Sequence, residues 1–406
     1  MKNVLDILTE RDFIDNTSDD KSNCSLKKLL GKPTTIYAGF DGTAGSLHLG
    51  HLTILRTLTL LQRAGHKVIV LMGGGTSLVG DPTDKMAMRK LLAPKAVQSN
   101  IKKIKAQVQK LGLLNFSGKN PALILNNSSW LSRASFLNDF VVKIAPLFSV
   151  NTLVKMKTFA ERLGTEKNLS LLEFIYPILQ AWDFLHLFEK YNCRIQVGGS
   201  DQWANILEGV DLIRRKHGAE VFAITNPLLV TGDGKKMGKT EAGPIWLDSK
   251  LTSPFVLYQE LEKTPDELVS PMFKRFTDLT MSEIGKIMSS RDPRQRQQRL
   301  AFEIVRLLHG TKAAKLAEQD AKNIFKGVSS KTTGVLKFKI TKRGMALDEI
   351  LLRAKILPSK SEVKRRAEAG GIRVNNQKIS DSKIIIKKSC LIRAGKKEFV
   401  KVEVRG

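Results

Sequence analysis

The chain has 406 residues, 42% of them hydrophobic, and a formal charge of +28 at pH 7. This length is enough for two or three domains, each with its own core. The sequence shows no apolar run of about 18 residues and no signal-peptide pattern, so we expect no membrane partner. The cysteines Cys24, Cys193 and Cys390 lie far apart, which favours a reducing environment and predicts a cytoplasmic protein.

Strand-like and helix-like segments alternate through the first half of the chain. Strands separated by helical crossovers predict an α/β fold with a parallel sheet. Ligands of such sheets bind beyond the carboxyl ends of the strands. The predicted strands are Thr34–Phe40, Lys67–Met72, Ala122–Asn126 and Cys193–Val197, and the predicted helices are Leu52–Gly65, a region through Glu161 and a helix from Leu171.

The second half is organised differently. The pattern is helical from about Pro254 to Lys326, Gly327–Thr333 is typical of a linker, and the remainder predicts two short helices and a hairpin at Val374–Lys378. Residues 331–406 carry 21 Lys and Arg against 7 Asp and Glu, a net charge of +14, which favours a polyanionic partner. The predicted segments are a catalytic domain at 1–222, a mobile connection at 223–253, an α-helical domain at 254–326, a linker at 327–344 and a small α+β domain at 345–406.

The first chemical motif lies where the strand Thr34–Phe40 gives way to a helix. It contains His48, Gly50 and His51. Unpaired N–H groups at a helix start attract anions, imidazoles can donate to phosphate oxygens, and a glycine allows a ligand to approach the backbone. A zinc site is the alternative, although zinc requires a third protein ligand and often cysteine. The motif alone leaves the two interpretations about equally supported.

The second motif is Gly232–Thr240, a glycine-flanked loop with Lys235, Lys236 and Lys239. Three lysines on a mobile loop can close over a polyphosphate. Phosphoryl and nucleotidyl transfer depend on positioning and on positive charge where negative charge develops. Together with the histidine motif, the loop favours a nucleotide site over a solvated basic turn.

The third motif follows Ser170 and Glu173, which form a predicted capping box. Tyr176, Gln180 and Asp183 then recur at helical spacing and share one face of the helix. A polar face on an otherwise apolar helix is either solvated or lines a pocket for a polar ligand. Buried carboxylates and amides of this kind suit an ammonium group.

These motifs, in this order, resemble those of bacterial-type tyrosyl-tRNA synthetases, which are class I enzymes. The resemblance covers nearly the whole chain. It implies a Rossmann-like catalytic domain, a helical anticodon-binding domain and a C-terminal RNA-binding domain of the alpha-L type. The matching segments are Tyr37-Ala-Gly-Phe-Asp41, His48-Leu-Gly-His51, Gly80-Asp-Pro-Thr83, Tyr176 through Phe184, Gly198-Gly-Ser-Asp-Gln-Trp203, Lys236-Met-Gly-Lys-Thr240, Pro358 through Arg366, and Gly370 through Asn376.

The resemblance implies a role for each candidate residue. Tyr37 and Asp183 would receive the tyrosine hydroxyl, and Asn126 would shape the surrounding polar pocket. The residues expected to hold the tyrosine ammonium group or contact the substrate are Asp81, Tyr176, Gln180 and Gln202. Those expected at ATP or the adenylate are Asp41, Gly50, Asp201 and Lys239, and those expected to act on the phosphates or ribose are Thr43, His48, His51, Lys85, Arg89, Lys236, Lys239 and Thr240.

The same resemblance implies the partners. ATP would be a substrate with Mg²⁺, without protein ligands to the metal, and the product tyrosyl-adenylate would esterify tRNA(Tyr). A homodimer is expected, with Trp130–Glu161 as the candidate interface. The residues expected to contact RNA phosphates are Lys360, Lys364, Arg365, Arg366 and Arg373.

Two alternatives remain open from the sequence. One is a tryptophanyl-tRNA synthetase, although an indole pocket does not need the hydroxyl-reading pair Tyr37 and Asp183. The other is a catalytically inactive, synthetase-like RNA-binding protein, in which the histidine and lysine motifs should have decayed. Three positions depart from the family pattern near the site. Ala38 stands where a cysteine is frequent and Trp182 where a tyrosine is common, and Gly42 replaces a usual proline, which predicts a looser turn beside Asp41.

Overall fold

A computed structural model of the protein describes residues 2–19, 25–83, 91–165, 169–230, 239–240, 243–325, 336–354, 356–375, 377–395 and 398–404. The chain forms two compact units, Met1–Trp246 and Leu247–Gly406. Among the described helices, none has both the length and the apolar character needed to cross a membrane.

A six-stranded sheet forms the centre of the described part of the first unit. Its strands are β1 (Asn16–Thr17), β2 (Thr35–Asp41), β3 (Lys67–Gly73), β4 (Leu123–Asn126), β5 (Cys193–Gly199) and β6 (Phe222–Asn226). The strand order is β1-β6-β5-β2-β3-β4, and only the short β1 runs antiparallel to its neighbour. The chain therefore changes direction across the sheet between β2 and β5, which is where ligands of such sheets bind.

Helices cover this sheet. They are α1 (Val4–Glu10), α2 (Ser25–Leu29), α3 (Leu49–Arg63), α4 (Thr76–Val79), α5 (Pro94–Lys110), α6 (Ser128–Leu131), α7 (Val150–Leu153), α8 (Lys157–Leu163), α9 (Leu171–Tyr191) and α10 (Trp203–His217). A π-helical segment, Phe136–Ile144, and 3-10 turns at Ala145–Leu147 and Ser200–Gln202 complete the helical elements of this described part. After α10, the short strands β7 (Lys239–Thr240) and β8 (Gly243–Pro244) form an antiparallel pair.

The predicted fold class is confirmed, but two boundaries differ. Helix α3 begins at Leu49 rather than Leu52 because His48 serves as its N-cap. Strand β6 was not predicted, and it pairs with β5 from Ile195↔Phe222 to Gly199↔Asn226. The proposed domain boundary at residue 222 therefore falls on the first residue of a buried sheet strand.

Helix α9 carries the third motif, and its predicted capping box is present. The Ser170 hydroxyl accepts from the Glu173 N–H (3.2 Å), and Glu173 in turn accepts from the Ser170 N–H (3.2 Å). The Glu173 carboxylate also binds the guanidinium of Arg162 on α8 at 2.9 Å, and both side chains are buried. Hydrogen bonds from Arg162 and Ser170 hold the pKa of Glu173 below its usual value despite the opposing effect of burial.

The second unit combines helices with a small mixed sheet. Its helices are α11 (Pro254–Leu261), α12 (Asp266–Phe276), α13 (Met281–Met288), α14 (Pro293–Phe325), α15 (Leu347–Arg353) and α16 (Lys360–Glu368). Its strands are β9 (Leu336–Ile340), β10 (Met345–Ala346), β11 (Ile372–Val374), β12 (Gln377–Lys378), β13 (Ile385–Ile386), β14 (Cys390–Ala394) and β15 (Glu398–Val404). The predicted hairpin is confirmed by the pairing of Arg373 with Lys378, and Asn375 adopts a φ of 45° at its turn. Helix α14 is kinked at Gly310, whose φ is 84°.

Candidate active site

A cavity of about 840 Å³ opens in the first unit at the carboxyl ends of the central strands. Residues from the strands β2, β3, β5 and β6 and from the helices α3 and α9 line it. The predicted site residues that line it are Tyr37, Asp41, Thr43, His48, Gly50, His51, Asp81, Tyr176, Gln180, Asp183, Asp201 and Gln202. The fold thus gathers residues from five separate segments of sequence around one space.

The Tyr37 side chain lines this cavity, is 1% exposed and packs against the Phe184 ring at 5.3 Å between centroids. Its hydroxyl is buried and has no hydrogen-bond partner among the described residues. Burial and then the charge of Asp183 raise the pKa of the Tyr37 hydroxyl well above its usual value. An unpaired buried hydroxyl is costly unless a ligand satisfies it.

Asp183 is held beside it by two donors. Asn127 Nδ2 donates to one carboxylate oxygen at 2.7 Å, and Trp130 Nε1 donates to the other at 2.8 Å. Burial raises the pKa of Asp183 to about 7, whereas these two hydrogen bonds oppose the rise. The stacking of Trp130 on His186, with 4.2 Å between centroids, fixes the indole in turn.

Asn127 and Trp130 were not predicted, and the prediction at the neighbouring position differs from the geometry. Asn126 Oδ1 accepts from the Ser128 N–H at 3.0 Å, and Asn126 does not belong to the cavity wall, whereas Asn127 does. Asn126 ends β4, whereas Asn127 has helical backbone angles (φ −65°, ψ −19°) at the start of α6, and its amide bonds to Asp183. The sequence predicts that an asparagine at this strand end belongs to the site, but it does not show which of the two side chains lines the cavity.

A second polar group centres on Asp41 at the end of β2. Its carboxylate accepts from the Tyr176 hydroxyl at 3.0 Å and from the Thr76 hydroxyl at 2.8 Å. Thr76 also accepts from Asn127 Nδ2 at 3.0 Å, so Asp41 and Asp183 belong to one connected network. Such a network fixes the side chains before a ligand binds.

A third group joins Asp81 and Gln202 across the cavity. Gln202 Nε2 donates to Asp81 Oδ2 at 2.7 Å, and the Thr83 N–H donates to Asp81 Oδ1 at 2.9 Å. Asn205 Nδ2 then donates to Gln202 Oε1 at 3.2 Å. The Asp81 carboxylate is therefore oriented from two sides and can receive a cationic group.

The histidine motif forms the start of α3. The His48 and His51 rings stack with centroids 3.8 Å apart, and each Nδ1 accepts a backbone N–H, from Gly50 and from His48 respectively, both at 3.2 Å. A neutral imidazole that accepts through Nδ1 carries its proton on Nε2. Burial and the nearby His48 lower the pKa of His51 well below its usual value, so this ring is neutral. These features favour donation to a ligand rather than zinc coordination.

The chain returns to this motif after the lysine loop. The Leu49 N–H donates to the Ile245 carbonyl at 2.9 Å, and His48 pairs with Trp246 as an isolated antiparallel bridge. The backbone of Lys239 and Thr240 lies in β7, whereas Lys85, Arg89 and Lys236 lie outside the described residues. The segment that follows the loop, at Ile245 and Trp246, is thus tied to the helix start that carries His48.

The five residues predicted to contact RNA belong to the second unit. Four of them form ion pairs: Lys360 with Asp348 at 3.8 Å, Lys364 with Glu368 at 3.9 Å, Arg365 with Glu362 at 2.9 Å, and Arg366 with both Glu362 (2.8 Å) and Glu398 (3.1 Å). Hydrogen bonds from the two arginines lower the pKa of Glu362 to about 2. The fifth, Arg373, lies on β11.

Comparison with known proteins agrees with this geometry. The family described as tRNA synthetases class I (W and Y) matches residues 29–326, and the S4 domain family matches residues 345–389. Proteins named Tyrosine--tRNA ligase from Clostridium botulinum (strain Hall) and Clostridium kluyveri are each 38% identical over 415 residues, covering 100% of this chain and 100% of the relative.

Solved structures give the same result. A C-terminally truncated mitochondrial tyrosyl-tRNA synthetase from Aspergillus nidulans is similar at a TM-score of 0.71 and 31% identity, covering 80% of this chain and 95% of that one. A tryptophanyl-tRNA synthetase from Encephalitozoon cuniculi shares the fold at a TM-score of 0.55 and 13% identity, covering 77% of this chain and 87% of that one. On the matched length and the full-chain identity, this chain belongs to the tyrosyl-tRNA synthetase family.

Proposed function

We propose that the protein activates L-tyrosine with ATP and transfers it to the 3′ end of tRNA(Tyr). The observation that carries this proposal is the buried Tyr37 hydroxyl, which lacks a partner among the described residues and lies beside Asp183. A ligand hydroxyl at this point would satisfy Tyr37 and donate to Asp183. Phenylalanine would leave both groups unpaired, and an indole offers no hydroxyl to them. The named relatives likewise favour tyrosine over tryptophan.

The proposed reaction uses the three polar groups of the cavity, which centre on Asp183, Asp41 and Asp81. The tyrosine carboxylate attacks the α-phosphate of ATP, forming the acyl-phosphate bond while the bond to pyrophosphate breaks. Asp81 with Gln202, and Tyr176 with Gln180, hold the amino acid, and Asp201 meets the ribose. Thr43 and His48, which line the cavity, would donate to the leaving pyrophosphate, and His51 would pack at the ribose. A tRNA hydroxyl then attacks the acyl carbon and releases AMP.

The predicted lysine-rich groups complete the phosphate end of this proposal. Lys85, Arg89, Lys236, Lys239 and Thr240 would supply side-chain contacts to the phosphates. Magnesium enters as the counter-ion of ATP, with phosphate oxygens and water as its ligands. We assign this activity to the cytoplasm, on the cysteine pattern alone.

Tyrosine-dependent exchange of pyrophosphate into ATP is the test of the proposed function. Tyrosine, tryptophan and phenylalanine are each supplied alone, with magnesium present. We expect exchange with tyrosine only. Exchange with tryptophan would contradict the assignment of the Tyr37–Asp183 pocket, and lack of exchange with all three would favour an inactive RNA-binding protein.

We also propose that the protein is a homodimer that joins through the region Trp130–Glu161. Large apolar side chains stand exposed there, including Phe136 (69%), Val142 (66%) and Val150 (63%). Contiguous exposed apolar surface on a folded protein usually marks an interface. The π-helical segment Phe136–Ile144 presents most of this surface.

Sedimentation equilibrium tests the dimer. The unmodified protein should sediment at twice the chain mass of 45.2 kDa. Val142→Asp should shift it toward the monomer, because burying a carboxylate in an apolar interface costs several kcal/mol (about 2 to 4). Leu251→Asp, at a side chain that is 58% exposed in the second unit, serves as the matched control. A dimer unaffected by Val142→Asp would place the interface elsewhere.

For RNA binding, we propose the C-terminal domain at 345–406, supported by the matching S4 family and by the excess of basic residues. Lys360, Lys364, Arg365, Arg366 and Arg373 remain the candidate phosphate contacts. To contact RNA, Arg365 and Arg366 would have to break their ion pairs with Glu362 and bind a phosphate instead. The helical domain at 254–326 is proposed to contribute anticodon binding.

A further inference from the structure

The loop at residues 42–48 connects β2 with α3 and carries two of the groups assigned to the pyrophosphate. Thr43 is exposed, and both Thr43 and His48 line the cavity. The loop has no helix or strand of its own before the bridge at His48. Its shape must therefore come from side chains that bond to its backbone.

Helix α5 provides those bonds on one side. Asn100 Nδ2 donates to the Gly42 carbonyl at 2.8 Å. Gln107 Oε1 accepts from the Leu47 N–H at 2.8 Å, and Gln107 Nε2 donates to Ser46 Oγ at 3.0 Å. Asn100 and Gln107 are seven residues apart and so share one face of the helix. The two amides hold the two ends of the loop.

Helix α4 holds the same loop at Gly42. Its N–H donates to Ser77 Oγ at 2.7 Å, and Ser77 bonds onward to the Gly73 carbonyl. A Cβ on residue 42 would stand 2.8 Å from Ile101 Cδ1. A proline here would lose the N–H and meet Ile101 of α5. The sequence predicted a looser turn at Gly42. Instead, side chains hydrogen-bond to both the N–H and the carbonyl of this glycine.

We propose that Asn100 and Gln107 are positioning residues for the pyrophosphate end of ATP. They act through the loop, since among the described residues they bond to its backbone and to Ser46 and not to the groups that line the tyrosine end of the cavity. Their contribution is to keep Thr43 and His48 where charge develops on the leaving group. The inference rests on the proposed function and adds to it a pair of residues outside the family motifs.

The test compares Asn100→Ala, Gln107→Ala and the double variant with Gln109→Ala, which changes an exposed residue of the same type on the same helix. Each variant is measured for kcat and the KM of ATP in tyrosine-dependent pyrophosphate exchange, for tyrosine affinity by equilibrium dialysis, and for thermal unfolding. We expect kcat/KM for ATP to fall about 10-fold in each single variant, on the order of one hydrogen bond to a positioned backbone. Tyrosine affinity should stay within about twofold in all variants.

A loss of tyrosine affinity parallel to the loss for ATP would show a merely structural role and overturn the proposal, as would variants that behave like Gln109→Ala. If Gln107→Ala fails to fold, Gln107→Met fills the same volume without hydrogen bonds and must show the same selective loss. Lack of exchange by the unmodified protein is a different result. It would contradict the proposed function itself, and this inference with it.

Discussion

Asp183→Asn should reduce tyrosine activation by about 10- to 100-fold, the range expected for losing a hydrogen bond to a charged group. The amide has nearly the same shape, but only its oxygen can accept, so it can satisfy either Asn127 or Trp130 and not both. One buried donor would be left facing another donor, and the ligand hydroxyl would lose its ionised acceptor. The measurement is kcat/KM for tyrosine and for phenylalanine in the exchange reaction, whose ratio should fall.

Tyr37→Phe provides the comparison for this prediction. It removes a neutral hydroxyl, so the loss of tyrosine activation should be smaller, about 2- to 10-fold. Because that hydroxyl has no partner among the described residues of the ligand-free protein, its removal should not lower the stability. An unchanged preference for tyrosine over phenylalanine in both variants would contradict the proposed pocket.

The pH dependence of stability gives a separate measurement on Asp183. Burial raises its pKa from 3.8 to about 7, so the folded state binds this proton more tightly than the unfolded chain does. The resulting stabilisation is complete below about pH 4 and is lost as the pH rises through about 7. Between pH 5 and 8, the melting temperature of Asp183→Asn should therefore fall less steeply than that of the unmodified protein.

Gly73→Ala should reduce activation by more than about 100-fold, because it displaces a group on which the site depends. A Cβ at this position would stand 2.1 Å from Asp41 Oδ1 and 2.6 Å from Thr76 Oγ1. Asp41 would have to move away from Tyr176 and Thr76, the two hydroxyls that bind it. The loss should appear in kcat/KM for both tyrosine and ATP, measured by pyrophosphate exchange.

Gly285→Ala is the matched control, since a Cβ there meets nothing within 4 Å. Gly285 lies in helix α13, where alanine is favoured over glycine by about 1 kcal/mol. Activity should be unchanged and stability slightly higher. Equal loss of activity in both variants would show that the effect comes from a general response to substitution and not from Asp41.

The motifs of the sequence predicted most of the candidate site because each lies at the boundary of a strand or helix. Capping residues or glycines make such boundaries recognisable in the sequence. The capping box at Ser170 fixes the start of α9, and helical spacing then places Tyr176, Gln180 and Asp183 on one face. The glycines that follow β3 and β5 indicate the ligand edge of a parallel sheet. Local chemistry and periodicity are enough to predict these features.

The features that the sequence did not predict depend on contacts between segments that are far apart in the chain. The role of Asn127 is defined by Asp183, 56 residues later, and the bond from Gln107 reaches Leu47 across 60 residues. Strand β6 is a short apolar run with no alternation, and such runs do not distinguish a buried strand from other buried segments. The ion pair of Arg366 with Glu398, 32 residues later, likewise became visible only with the tertiary structure.

Strand β2 carries both Tyr37 and Asp41, four residues apart and on the same side of the sheet. At a rise of about 3.3 Å per residue, the two positions are separated by about 13 Å along one rigid element. Under the proposed roles, the strand sets the distance between the end of the cavity that would bind the phenol and the end that would bind the adenylate. An amino acid with one extra methylene would keep its hydroxyl contact yet bring its carboxylate out of line with the α-phosphate. We therefore expect the proposed site to select the length of the substrate independently of its hydroxyl.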